Sequence, residues 1–249
     1  MPDSDVFSER PSASGTDGNS LRETGRISFA RWTPSPNFGP RPDGAGISLL
    51  VVHNISLPPG QFGGREIEDF FCNQLDHSAH PYFKTIEGVQ VSAHLLIRRD
   101  GALVQFVSLL DRAWHAGRSC FEGQEECNDF SIGIELEGTD DTPYTTEQYR
   151  MLAKVADLIM TAWPDVTANR ITGHCDIAPG RKSDPGPAFD WRYFRSALET
   201  VRGSGRNGCM GFVVFLLAYM VRGRLDSLDM LSGLEVRRRW VPSRRRCRA

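Results

Sequence analysis

Apolar positions mark out the elements before any chemistry is considered. Residues 47–53 are a nearly continuous apolar run ending in His53, the pattern of a strand covered on both faces. Ile67, Phe70, Phe71 and Leu75 recur at helical spacing, predicting a short amphipathic helix over 65–75. Two apolar stretches, 91–98 and 102–107, flank Asp100-Gly101, a turn signal that predicts a hairpin. Over 131–137 the pattern alternates, with Ile132, Ile134 and Leu136 on one side and Gly133, Glu135 and Glu137 on the other. Thr145 and Gln148 have capping-box spacing. The helix they open buries Tyr149, Leu152, Val155, Ala156, Ile159 and Trp163, and Pro164 stops it. Asp190 predicts the cap of a last helix with Trp191, Phe194, Leu198 and Val201 inward. Strands interleaved with helices, plus one antiparallel hairpin, predict an α/β fold: a central mixed β-sheet flanked by helices. No internal repeat is visible.

The ends differ from this body. Residues 1–25 are rich in Ser, Gly and Asp and lack periodicity, so a disordered tail is expected. Pro34, Pro36, Pro40 and Pro42 then impose an extended or looped segment. A single folded domain is expected over 26–202. Residues 203–249 hold ten arginines against Asp226, Asp229 and Glu235, while the rest of the chain carries 19 basic and 28 acidic residues. A basic C-terminal extension therefore follows an acidic body. Its apolar segment, 210–221, is too short to span a bilayer. A packed terminal helix with a solvated tail is favoured over an interfacial membrane anchor.

Composition narrows the function classes. The chain of 249 residues has net charge -2, 40% hydrophobic and 10% aromatic residues, which excludes a generic polyanion binder and wholesale disorder. No nucleic-acid partner is expected. Cys72, Cys120, Cys127, Cys175, Cys209 and Cys247 form no C-x-x-C pair, and the first residues lack the apolar core of an export signal. Reduced thiols and a cytoplasmic location are the expectation.

The candidate chemistry gathers at two places. His53 sits where an apolar strand meets a loop, followed by Asn54. Residues 173–186 bring His174, Asp176, Lys182 and Asp184 together among Gly and Pro. Two histidines and one carboxylate leave a zinc ion with an open fourth position, the catalytic arrangement. The carboxylate is Asp176 or Asp184. Asp184 is preferred because Pro185 biases it to extended backbone, where Lys182 and Asp184 point to one side. Cys175, adjacent to His174, is expected to be a structural thiol. Glu135 and Glu137 share one strand face, and periodicity does not choose between them.

Six segments, in order, carry a resemblance: Ser48-Leu-Leu-Val-Val-His-Asn-Ile-Ser-Leu-Pro-Pro-Gly, Val91-Ser-Ala-His, Ile97-Arg-Arg-Asp-Gly, Arg112-Ala-Trp-His-Ala-Gly, Asn128-Asp-Phe-Ser-Ile-Gly-Ile-Glu-Leu-Glu-Gly and Gly173-His-Cys-Asp-Ile-Ala-Pro. Across about residues 29–195 the chain closely resembles the AmpD-type 1,6-anhydro-N-acetylmuramyl-L-alanine amidases. These belong to the zinc amidase family that includes phage T7 lysozyme and the peptidoglycan-recognition proteins. The resemblance implies that amidase fold, a Zn2+ cofactor held by His53, His174 and Asp184, Glu135 activating water, and Lys182 steadying an oxyanion. It also implies a cytoplasmic enzyme that cleaves the bond between anhydro-N-acetylmuramic acid and L-alanine in peptidoglycan recycling, and so limits β-lactamase induction indirectly. Asn54, Trp114, His115 and Ala116 lie in motifs placed around the cleft in this family and are expected substrate contacts. His94, His77 and His80 are expected to be scaffold or loop residues. Gln90 and Glu126 stand where some relatives carry basic residues. A monomer acting on an anhydromuropeptide is expected. A binding module without catalysis, an amidase of intact periplasmic murein and Cys-His catalysis are the alternatives.

Overall fold

The structure is a computed structural model that describes residues 18–206. In chain order its elements are α1 (Gly18–Thr24), β1 (Arg31–Trp32), β2 (Phe38–Gly39), β3 (Leu49–Ile55), α2 (Glu66–Phe71), β4 (Leu95–Ile97), β5 (Leu103–Gln105), β6 (Arg112–Ala113), β7 (Cys120–Phe121), β8 (Gln124–Glu125), β9 (Ser131–Glu137), α3 (Thr146–Ala162), β10 (Ile171–Gly173), α4 (His174–Ile177) and α5 (Trp191–Arg206). Six strands form one sheet in the order β1-β5-β4-β9-β3-β10. Only β4 and β5 pair antiparallel in it. They are the two arms of the expected hairpin, closed by Gly101 at φ 83 and by Asp100, whose carboxylate accepts the Ala102 N–H at 2.9 Å.

The two faces of the sheet are built differently. Leu50 and Val52 of β3, Leu95 and Ile97 of β4, and Ile132, Ile134 and Leu136 of β9 pack beneath α3 and α5. Each fully buried aliphatic side chain of this kind contributes about 1.5–3 kcal/mol. The opposite face divides. Leu96, Val104 and Phe106 meet Ile67, Phe70, Phe71 and Phe83 at one end. Leu49 and Val51 meet Ala116, Phe130 and Ile177 at the other. His53 continues the parity of Leu49 and Val51, so it emerges on this second face.

All seven residues of β9 are buried, including its polar side. Half of that polar side is an ion-pair network. Glu137 accepts from Arg98 at 3.3 Å and from the backbone N–H groups of Gly63 and Arg99 at 2.7 and 3.1 Å. Arg98 also pairs with buried Glu68, which Arg31 reaches at 2.6 Å. A half-buried cation, Arg41, donates to the carbonyls of Asn128, Asp129, Leu109 and Ser131 at 2.9–3.2 Å. Burial lowers its pKa to about 10, with Asp111 and Asp129 opposing, so it stays charged at neutral pH.

Several boundaries depart from the sequence expectations. Residues 18–24 are helical, not a disordered tail: Leu21 is fully buried and Arg22 donates to the Ala162 carbonyl at the end of α3. One apolar residue in a seven-residue helix leaves no periodicity to read. The first long strand runs two residues further than expected, so His53 lies inside β3 and not at its end. The helix expected over 65–75 ends at Phe71, because Asn73 takes a left-handed φ of 57. Asp190 caps α5, its carboxylate accepting the Tyr193 N–H at 2.9 Å. Cys120 is disulfide-bonded, against the expectation of reduced thiols throughout, whereas Cys72, Cys127 and Cys175 are free. The apolar segment 210–221 and the arginine-rich end lie outside the described residues. Among the described residues, no helix is long and apolar enough to cross a membrane.

The capping box of α3 does more than start a helix. Gln148 accepts the Thr145 N–H at 3.1 Å, as its spacing predicts. Its amide nitrogen donates to the Glu137 and Ile97 carbonyls at 2.9 and 3.3 Å, joining α3 to β9 and β4. Gln148→Glu satisfies the box equally well but sets a carboxylate against two carbonyl oxygens. It is expected to cost on the order of 2 kcal/mol, seen as a lower urea midpoint at unchanged m. An unaltered midpoint would show that these two donations contribute nothing.

Candidate metal centre and active site

Parallel pairing of β3 with β9 puts His53 and Glu135 opposite each other in register. On the other side, β10 pairs with β3 and leads straight into α4, whose first residue is His174. Three elements of one sheet edge thus deliver three side chains to the same face.

His53 Nδ1, His174 Nδ1 and Asp184 Oδ2 converge, with separations of 3.0, 3.0 and 3.1 Å. Among the described residues these three form a group able to hold a metal ion. Asp176 does not join them. Its carboxylate accepts from Gly173 N–H and the Thr172 hydroxyl at 3.0 and 2.8 Å, closing the start of α4. Asp184 is brought in by the loop after α4, where the Cys175 N–H donates to its carbonyl at 2.9 Å.

The protonation of this group tests whether a cation fits it. His174 Nε2 lies 3.0 Å from the Ala116 carbonyl, which can only accept, so that nitrogen carries a proton, and in the neutral ring Nδ1 presents a lone pair. Burial, with His174 and Lys182 adding to it, lowers the pKa of His53 to about 4 against the pull of Asp184, so it is neutral. Burial also pushes the Asp184 carboxyl up, but the imidazoles beside it outweigh burial and keep it an anion. A lone pair and a carboxylate oxygen 3.1 Å apart need positive charge between them. The donor set of two imidazoles and one carboxylate suits zinc.

Beside the triad, Glu135 is 8% exposed, and its Oε2 has no hydrogen-bond partner. Burial, and then the Asp184 charge, push its pKa well up, with Lys182 in opposition. Glu137 is fully engaged in the ion-pair network. The choice that periodicity left open is therefore resolved by partners: Glu135 is the carboxyl with a free oxygen.

A cleft of about 440 Å³ opens at Asp184 and Lys182. Asn54, Ser56, Thr139, Asp140, Asp141 and Arg181 complete much of its wall. Asn54 lies where expected, donating to Asp140 at 2.8 Å and to the Pro185 carbonyl at 3.1 Å. Half-buried Trp114 and buried His115 and Ala116 do not line this cleft. His115 and Ala116 instead stand behind the triad. His115 Nδ1 meets His53 Nε2 at 2.9 Å, while the Ala116 carbonyl meets His174. Asn128 holds both, its side-chain oxygen accepting their backbone N–H groups at 3.1 and 2.8 Å. The Trp-His-Ala-Gly segment thus supplies the outer partners of both histidines of the triad. His94 is buried scaffold, accepting the Gly133 N–H at 3.0 Å, and His77 and His80 make local loop bonds. Gln90 lies at a separate groove beside Phe70 and His77, and Glu126 pairs with Arg112 at 3.5 Å.

Sequence reasoning missed Asp140, Asp141 and Arg181 as cleft residues. One signal was available: parallel strands collect their sites at carboxyl ends, and Asp140 and Asp141 follow the end of β9 closely.

A family model described as N-acetylmuramoyl-L-alanine amidase matches residues 43–187. The chain is 57% identical over 178 residues to the 1,6-anhydro-N-acetylmuramyl-L-alanine amidase AmpD of Citrobacter freundii, covering 72% of this chain and 95% of that protein. It is 57% identical over 175 residues to the Escherichia coli protein of the same name, covering 70% and 95%. Among solved structures, a selenomethionine AmpD derivative matches with a TM-score of 0.68 at 57% identity, over 70% of this chain and 97% of that one. With its mixed sheet, its two-histidine, one-carboxylate group and this extent of identity, the chain belongs to the N-acetylmuramoyl-L-alanine amidase family.

Proposed function

We propose that the chain is a zinc-dependent amidase that hydrolyses the amide between 1,6-anhydro-N-acetylmuramic acid and L-alanine in muropeptides. The observation that carries this reading is the convergence of His53, His174 and Asp184 beside a buried carboxyl with one free oxygen. The substrate class rests on the similarity to the AmpD amidases of Citrobacter freundii and Escherichia coli. A role in cytoplasmic recycling of anhydromuropeptides is part of the same proposal.

Water is a poor nucleophile towards an amide, and the amine a poor leaving group. His53, His174 and Asp184 would hold the zinc, which when bound would supply Lewis acidity towards the carbonyl and the water. Glu135 takes the proton of the attacking water at Oε2 and returns it to the departing alanine nitrogen. Lys182, on the cleft wall, complements the negative charge that grows on the carbonyl oxygen. Asn54 and Asp140 offer polar contacts to the muropeptide. Nucleophilic catalysis by a free thiol is disfavoured, since burial raises the pKa values of Cys127 and Cys175 to about 11 and leaves both protonated.

Mass spectrometry of an anhydromuramyl tripeptide incubated with zinc-loaded protein tests the reaction. Free tripeptide and anhydromuramic acid are expected, lost with chelator, restored by zinc and indifferent to thiol alkylation. Intact substrate after incubation with folded, zinc-bearing protein would overturn the proposed reaction. His53→Ala and Asp184→Ala are expected to lose bound zinc and turnover together. Glu135→Ala keeps its zinc and loses about 10²–10⁴-fold in kcat. Near-normal turnover there would remove Glu135 as the base.

The raised pKa of Glu135 also has a sign in stability. An acid whose pKa is higher folded than unfolded binds more protons in the folded state, so stability falls as pH rises above the unfolded value. Metal-free Glu135→Gln is therefore expected to exceed the metal-free parent at pH 7 by about 1–3 kcal/mol. The gap should close below about pH 4, where the carboxyl is protonated in both states. A gap independent of pH would mean that ionisation is not its origin.

A further inference from the structure

His53 is not held by a fixed acceptor. A backbone carbonyl settles the tautomer of His174, but His53 faces another imidazole, which can present either a proton or a lone pair. What decides lies one residue further back. The Ser131 hydroxyl is 2.5 Å from the Cys127 carbonyl. Two oxygens that close require a proton between them, and only the hydroxyl has one. The Ser131 oxygen is then left to accept, and His115 Nε2 lies 3.1 Å away. His115 therefore carries its proton on Nε2 and turns a bare Nδ1 to His53, 2.9 Å distant. His53 must put its own proton on Nε2, which frees Nδ1 for the centre of the triad.

The packing keeps this relay in order. A side chain at position 133 would bring its Cβ to 2.5 Å from the His115 ring, so Gly133 makes the space that His115 fills. The ring lies buried between His53 and His94, with centroids at 5.0 and 5.6 Å. Its backbone is fixed by Asn128 at 3.1 Å.

We propose that Ser131 and His115 are positioning residues: the Ser131 hydroxyl, oriented by the Cys127 carbonyl, acts through His115 to hold His53 in the tautomer whose Nδ1 lone pair faces the metal position. This deepens the proposed function, since it concerns the zinc that function requires. It also reassigns His115 from the substrate side of the site to the support of a ligand.

Long-range proton–nitrogen NMR of the full-length chain, with zinc and without it, reads the relay directly. His115 is expected as the Nε2–H tautomer in both states. An Nδ1–H His115 would overturn the proposal. Ser131→Ala is expected to mix the His115 tautomers and to weaken zinc about 10–100-fold in competition with a chromophoric chelator. Ser131→Thr, which keeps the hydroxyl, should restore both. A purely structural Ser131 would lower the unfolding midpoint without altering tautomer or zinc affinity, and that result would also overturn it. If Ser131→Ala fails to fold, the His115 tautomer of the unaltered chain still decides. A chain that binds zinc with the expected tautomers yet leaves the anhydromuropeptide intact would refute the proposed reaction while leaving the relay standing.

Discussion

The site depends first on one backbone constraint, the parallel register of β3 against β9. Seven consecutive residue pairs fix it, and the fifth is His53 with Glu135. A slip of one residue would turn Glu135 into the core under α3 and bring Ile134 or Leu136 to the cleft side. Ile132, Ile134 and Leu136 forbid that slip, because each is fully buried against α3. Apolar packing on one face of the sheet thus sets the spacing of the reacting groups on the other.

The second constraint is electrostatic. The face that carries the chemistry is nearly as dry as the core, so each polar group on it needs a defined partner. Glu137 has three donors, His174 a carbonyl and His53 an imidazole. Glu135 is the exception. A carboxyl oxygen left unpaired in such surroundings is costly, and the cost falls at the group proposed to pick up and release the proton. Sites of this kind keep a group in readiness by withholding its partner.

Much of this was legible in the sequence. Helices α3 and α5, their caps and the β4–β5 hairpin follow from local signals, because each is fixed by residues near in sequence. The alternation over 131–137 marked a strand with an apolar face, but not that its polar face was buried, since Glu135 and Glu137 look alike until Arg98 and the Gly63 N–H claim one of them. The three members of the metal group were named from residue type and backbone bias. What stood behind them was not, because the role of His115 depends on Ser131, Gly133 and Cys127 in a neighbouring strand and turn. Asn128 and Ser131 carry no reactive group and gave no reason to be singled out. Leu21 escaped notice for the opposite reason: one buried leucine does not make a periodic pattern.

Arg41 bears on where this protein begins as a unit. Its guanidinium gathers four carbonyls, among them that of Ser131, from a proline-rich loop with no strand or helix of its own at that point. The family match starts two residues later, at 43, and ends at 187, before α5. The family match and the packed chain therefore draw different borders. A fragment cut to the matched stretch would keep every group of the metal triad and lose α1, Arg41 and α5. The carbonyls that now share the Arg41 charge would face each other without it, and the sheet would lose two of the helices covering its apolar face. The stretch that the family model matches is thus shorter than the chain that packs around the triad.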